Sequence, residues 1–309
     1  MQLNRIKIGI FSLRYGPIIF SLIGLLLVLV FHLNQTLFYQ INAINQLGND
    51  HFWAGLTILG DGLVLLPLTL VFLRYRPEIF PPMLLTSLLT PLVLHSLKRI
   101  FDVARPGGAI SPVDFYYVEP LYRAYSFPSG HSTTIFSWVC VVVMTMNVKS
   151  VKRFWGSLLL ILASCVALSR ILVGAHWPLD ILCGTALGWS MSLFSIWLSK
   201  RWDWIRSRTG CNISIGFFLL SAVISLLFSY TDYQIVNNWQ TFLVIFSLIC
   251  AFTPLFDRFF ISGRYNDSVL QKTNPDVMER KPNMPARDFI RWTFELIRSS
   301  FILPLRRLF

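Results

Sequence analysis

Two histidines, one carboxylate and three spaced cations stand out in a chain that is 54% hydrophobic and only 14% charged. They fall in three short runs: Lys98 to Arg105-Pro106, then Pro128-Ser129-Gly130-His131, then Ser169-Arg170 to His176 and Asp180. Charged side chains are costly in apolar surroundings, so those that persist there usually serve a purpose. The chemistry that suits these types is the handling of a phosphate group. A phosphoester dianion needs several positive donors around its oxygens as charge develops in the transition state. Arginine offers a planar fork matched to phosphate, and lysine a point charge. Lys98, Arg105 and Arg170 supply three such donors. Snorkelling toward lipid headgroups would explain any one of them, but not all three beside two histidines.

His176 and Asp180 lie four positions apart, a spacing that on a helix puts both on one face. A carboxylate beside an imidazole fixes its tautomer and stabilises the imidazolium. His176 is therefore a candidate nucleophile toward phosphorus through its free nitrogen. The same stretch also reads as a helix start, with Pro178 at the first position and Asp180 in the first turn. That plainer reading leaves His176 and Arg170 unexplained. Pro128 to Thr133 reads as a turn followed by a helix start, with Ser or Thr as cap. Free N–H groups at such a start suit an anion, and Gly130 permits close backbone approach. A lone Ser-Gly-His would be read as an ordinary cap.

The elements that must position these groups are apolar helices. Soluble domains carry roughly a quarter charged residues, and long apolar runs recur here, so the chain reads as an all-α, polytopic transmembrane helix bundle. Eight spans are expected, at 17–33, 54–73, 81–98, 131–147, 155–173, 179–199, 213–230 and 240–256. Arg5, Lys7 and Arg14 precede the first run, which is long enough to cross and is followed by no A-x-A site; it is expected to be an uncleaved first helix. The net charge of +12 does not point to nucleic acid, because the basic residues lie in short loops where they set topology. The five cysteines are scattered without a CxxC, so neither a disulfide framework nor a zinc site is expected.

Lys and Arg cluster before span one and after spans two, four and six, whereas loops 34–53 and 231–239 contain none. The positive-inside rule then puts both termini in the cytoplasm. Lys98, Arg99, Arg105, Arg123 and Arg170 break that rule on the outer side. Topology does not explain them; a ligand or an ion pair would. All three runs fall at outer helix ends, so four ends are expected to converge on one pocket at the outer interface.

Other residues carry weaker signals. Asp61, between Gly60 and Gly62, is expected to pair within the bundle rather than reach the site. His95 reads as a packed histidine, and Arg99 with Asp102 as a local pair. The long loop 107–127, rich in tyrosine, suits a lid or an interfacial anchor. Residues 286–303 suit an amphipathic helix on an anionic leaflet or against the bundle.

Lys98-x6-Arg105-Pro106, Pro128-Ser129-Gly130-His131 and Ser169-Arg170-x5-His176-x3-Asp180 together resemble the three-part signature of the type 2 phosphatidic acid phosphatase (PAP2) superfamily. The resemblance implies a six-helix membrane catalytic core over residues 1–200; the two additional transmembrane helices expected over 201–256 and the basic cytoplasmic tail with its amphipathic helix over 257–309 extend past that core. It implies that His176 attacks and carries the phosphate, Asp180 orients it, and His131 protonates the leaving oxygen and then activates water. Lys98, Arg105, Arg170, Ser129 and the Gly130 amide would hold the phosphate oxygens. No metal and no cofactor is implied. The implied substrate is a lipid phosphate or diphosphate: polyprenyl diphosphate, phosphatidylglycerophosphate, phosphatidate or lipid A. The implied partners are this substrate and membrane lipids, and the implied place is a bacterial inner membrane. A lipid-to-lipid phosphotransferase would use the same site. A non-enzymatic transporter or scaffold is disfavoured by the intact His131, His176 and Asp180.

Overall fold

The structure, a computed structural model, describes residues 2–261 apart from 48, 74–75, 119, 147–148 and 229–232. Among these residues every regular element is a helix. In chain order they are α1 (Gln2–Val30), α2 (Asn34–Asn42), α3 (Asp50–Thr57), α4 (Gly62–Leu68), α5 (Phe80–Phe101), α6 (Pro106–Ala109), α7 (Gly130–Met144), α8 (Lys149–Leu172), α9 (Pro178–Arg201), α10 (Asp203–Arg206), α11 (Arg208–Leu227) and α12 (Asn237–Ile261). Helices occupy all eight expected span positions. Leu13–Val30, Pro77–Ala109, Phe154–Leu172, Pro178–Arg201 and Arg208–Leu227 are each long and apolar enough to cross a membrane. Gly130–Met144 is a shorter apolar helix. The chain is an integral membrane protein. The expected tail helix over 286–303 lies outside the described residues.

The second expected span is not one helix. Asp50–Gly60 and Gly62–Phe72 meet at 62°. Asp61 sits at the break in extended conformation, and its Oδ1 accepts from Leu63 N at 2.8 Å, capping α4. The backbone at the break is thus one of its partners. A Cβ on Gly60 would lie 2.8 Å from the Cβ of His131, so only glycine lets this break pack against the start of α7.

At the centre, α7 and α9 run side by side with their backbones almost touching. Small residues make this possible. A Cβ on Gly184 would lie 2.7 Å from Ser129 O, and one on Gly188 only 2.3 Å from Thr133 O. One turn further, Ser192 Oγ donates to Ser137 O at 3.0 Å. Ser129 N donates to Asp180 O at 3.0 Å, tying the first turns of the two helices together. Buried Trp189, Ile135, Val139 and Ala163 fill the core around this seam. Trp189 Nε1 donates to Arg14 O at 2.8 Å, which brings in α1.

Helices α11 and α12 pack against α4 and α5. Phe80 meets Phe218 edge-on at 5.6 Å. Ser225 Oγ donates to Leu63 O at 2.7 Å, and the buried Gln240 donates to Ser225 Oγ at 2.8 Å. These buried polar contacts fix the register of α11, α12 and α4.

Candidate active site

The link from α8 to α9 is only five residues, 173–177. It turns at Gly174, which has φ +73°; a Cβ there would lie 2.6 Å from Tyr116 O. Ala175 N and His176 N both donate to Arg170 O, at 3.0 and 3.2 Å. The last carbonyls of α8 would otherwise lack partners. Asn42 Nδ2 donates to Ile171 O at 2.9 Å and Asn45 Nδ2 to Leu172 O at 2.7 Å. Arg170 therefore lies inside the last turn of α8, which runs on to Leu172, and is 1% exposed.

His176 is not on a helix. Trp177 is the extended residue before α9, and Pro178 opens it. The imidazole nevertheless reaches its carboxylate, with Nδ1 3.1 Å from Asp180 Oδ2. The same oxygen accepts from Trp177 N at 2.8 Å and from the Ser126 hydroxyl at 2.5 Å. Asp180 thus caps its own helix and holds His176, so both readings of this stretch hold together. A carboxylate acceptor at Nδ1 leaves Nε2 as the nitrogen with the free lone pair.

Ser129 caps α7, its Oγ accepting from Ser132 N at 3.5 Å and from the Ser132 hydroxyl at 3.2 Å. Gly130 and His131 form the first turn of α7, where N–H groups point outward from the helix. His131 is partly exposed there.

Lys98 lies one turn before the end of α5, which runs on to Phe101 and is closed by Asp102 at φ 39°. Its Nζ donates to Tyr125 O at 2.5 Å. Arg105 Nε donates to Ala124 O at 2.9 Å, and its guanidinium sits 4.6 Å from the Tyr122 ring. Ser126 N in turn donates to Val103 O at 2.8 Å. Gly108 is needed for this close fold-back, since a Cβ would lie 2.2 Å from Arg123 O. The loop after α6 is thus a wall whose carbonyls orient two of the three cations. The third, Arg170, donates from Nη1 to Tyr233 Oη at 3.2 Å. Among the described residues its Nε has no hydrogen-bond partner.

The C-terminal ends of α5 and α8 and the N-terminal ends of α7 and α9 therefore meet, bringing Lys98, Arg105, Ser129, Gly130, His131, Arg170, His176 and Asp180 to one place. Burial, and then the positive charges of Arg105, Arg170 and Lys98 and the nearby His131, hold the His176 pKa well below its usual 6.5. The imidazole is neutral at pH 7. Three cations against one carboxylate leave two positive charges in excess, the charge a phosphate dianion would balance. Among the described residues no group of three His, Cys, Asp or Glu is placed to hold a metal ion.

Three residues at the site carried no readable signal. Ser126 and Tyr233 lie outside every motif, and Asn42 looks like any loop amide. Asn34 begins an Asn-Gln-Thr triplet that resembles a glycosylation site; its Oδ1 accepts from Leu179 N at 3.0 Å, so it serves the start of α9. His95 is exposed on α5 rather than packed, and Arg99 and Asp102 are both exposed and form no ion pair among the described residues.

Residues 80–204 match the family profile of the PAP2 superfamily. Undecaprenyl-diphosphatase of Sulfolobus acidocaldarius is 30% identical over 154 residues, covering 50% of this chain and 66% of that protein. Phosphatidylglycerophosphatase B of Escherichia coli is 32% identical over 77 residues, covering 25% of this chain and 30% of that one. The chain spans less than two thirds of the length of either relative. The crystal structure of Aquifex aeolicus LpxE matches with a TM-score of 0.47 at 29% identity, covering 53% of this chain and 94% of that one.

Proposed function

We propose, on the match of residues 80–204 to the PAP2 superfamily profile and on the site geometry, that this chain is a PAP2-type integral membrane lipid phosphatase working through a phosphohistidine. The observation that carries this reading is the charge-matched cluster: two surplus positive charges beside a neutral His176 whose Nδ1 is held by Asp180. In the first step Nε2 of His176 attacks the terminal phosphorus while its bond to the oxygen that stays with the lipid breaks, the ester oxygen of a monophosphate or the bridging oxygen of a diphosphate. His131, which takes up a proton when the bound phosphate dianion offsets the cations around it, delivers that proton to the leaving oxygen. Asp180 stabilises the positive charge that His176 acquires. In the second step the now neutral His131 takes a proton from water, the water oxygen bonds to phosphorus, and the bond to His176 breaks, releasing inorganic phosphate. Lys98, Arg105, Arg170 and the α7 amides hold the equatorial oxygens through both steps.

The substrate class is a lipid phosphate or diphosphate; polyprenyl diphosphate, phosphatidylglycerophosphate, phosphatidate and lipid A are the candidates. The loop charges support a site on the outer face of a bacterial inner membrane, with both termini inside. The scheme uses no metal. Phosphate release from a panel of these lipids in detergent tests it. His176→Ala should lose activity by at least about 10³-fold, and His131→Ala by about 10²-fold, with both proteins still folded. Acid-labile phosphate should be trapped on His176 in a rapid quench, and EDTA should change little. Full activity in His176→Ala, or a strict need for added divalent metal, would overturn the scheme. Transfer of phosphate to a second lipid without release would make it a phosphotransferase.

A further inference from the structure

Arg170 donates a hydrogen bond to a residue outside the family-matched segment. Its partner, Tyr233, lies in the connection between α11 and α12, well beyond residue 204. Tyr233 is 2% exposed and packs among Ala54, Ile58, Val118 and Val173. Its ring centroid is 5.6 Å from the Arg170 guanidinium carbon, and its Oη accepts from Nη1 at 3.2 Å. One edge of the guanidinium is therefore fixed while Nε stays unpartnered among the described residues. A buried N–H without an acceptor is costly, and a phosphate oxygen would satisfy it. A guanidinium free to rotate would lose that orientation. The ring and hydroxyl together restrict it to one plane.

We propose that Tyr233 is a positioning residue for Arg170, so that the helices beyond the PAP2 segment complete the phosphate site. The inference rests on Arg170 being a phosphate ligand, as the proposed function has it. It also gives α11 and α12 a role, since Tyr233 lies in the connection that joins them.

The test is a mutant cycle on the full-length protein in detergent, reading inorganic-phosphate binding and lipid-phosphate hydrolysis side by side. Tyr233→Phe keeps the ring and removes the hydroxyl. It should weaken phosphate binding and raise KM by about tenfold, with little change in kcat and an unchanged Tm. The same change in an Arg170→Gln background should have no further effect on phosphate binding. Tyr233→Gln against Tyr233→Leu is the second pair, matched in size, so that any packing loss is common to both. Gln should recover part of the phosphate affinity that Leu loses. Wild-type affinity in Tyr233→Phe, additivity with Arg170→Gln, or Gln no better than Leu would each overturn the proposal. If the wild-type protein binds phosphate yet releases none from lipids, the phosphatase reading fails, while the binding arm still decides the role of Tyr233.

Discussion

On the α7–α9 side the charged cluster rests on main-chain contacts, whereas on the Arg170 side it rests on side chains. Gly184 and Gly188 bring two backbones together, and Ser129 N binds Asp180 O. Across the site, Asn42, Asn45 and Tyr233 hold the end of α8 and its arginine through amides and a phenol. Main-chain contacts tolerate almost no added atom. Side-chain contacts tolerate replacement at a graded cost. The two sides should therefore fail differently when altered.

The largest effect is expected on the main-chain side. Gly188→Val would push a branched side chain into Thr133 O and should destabilise the protein by about 3 kcal/mol. Thermal unfolding in detergent reads this, and a wild-type Tm would disprove the close-packed seam. Next comes Asn42→Ala, which strips donors from buried carbonyls and should cost about 2 kcal/mol. It should also raise KM, because Arg170 sits in the turn that Asn42 ties down; an unchanged KM would separate the cap from the site. Ser126→Ala should follow, lowering kcat about tenfold with little change in Tm, since Asp180 keeps its other donors. If kcat is unaffected, the hydroxyl has no part in holding the carboxylate.

The smallest effect concerns pH. His176 has a lowered folded pKa, so it stays neutral as pH falls through 6.5. The acid limb of kcat/KM that it governs should lie below that value. Because the unfolded chain takes up this proton near 6.5 and the folded one does not, stability should decline as pH falls below about 6.5. Arg105→Gln should move the limb upward only slightly, since burial is the larger cause and the charges come second. A limb above 6.5 in the wild type would contradict the environment described here.

The difference between the two sides also decides what the sequence revealed. Main-chain contacts demand particular residues at fixed spacing, and Ser129-Gly130-His131 is legible for that reason; the His176–Asp180 pair, a side-chain contact, is legible because its partners are only four positions apart. The span positions follow from hydropathy alone. The break at Asp61 does not, because Leu63 and Val64 continue the apolar run and only the glycines on either side hint at a kink. The helical face imagined for His176 and Asp180 also differs from the structure: Pro178 starts the helix two residues after the histidine, and the contact comes from the approach of the loop. Tyr233, Ser126 and Asn42 reach the site across 63, 54 and 129 residues of chain. Pairings that distant leave no periodic mark.

The shared acceptor at Arg170 O has a further consequence. Since the amides of residues 175 and 176 both fasten to that carbonyl, the imidazole of His176 and the guanidinium of Arg170 are carried on one short covalent frame. Their separation is built during folding and does not await an incoming lipid. In the proposed mechanism the entropy of aligning these two groups is settled before any encounter, so conformational adjustment on binding belongs to the histidine and cations mounted across the gap.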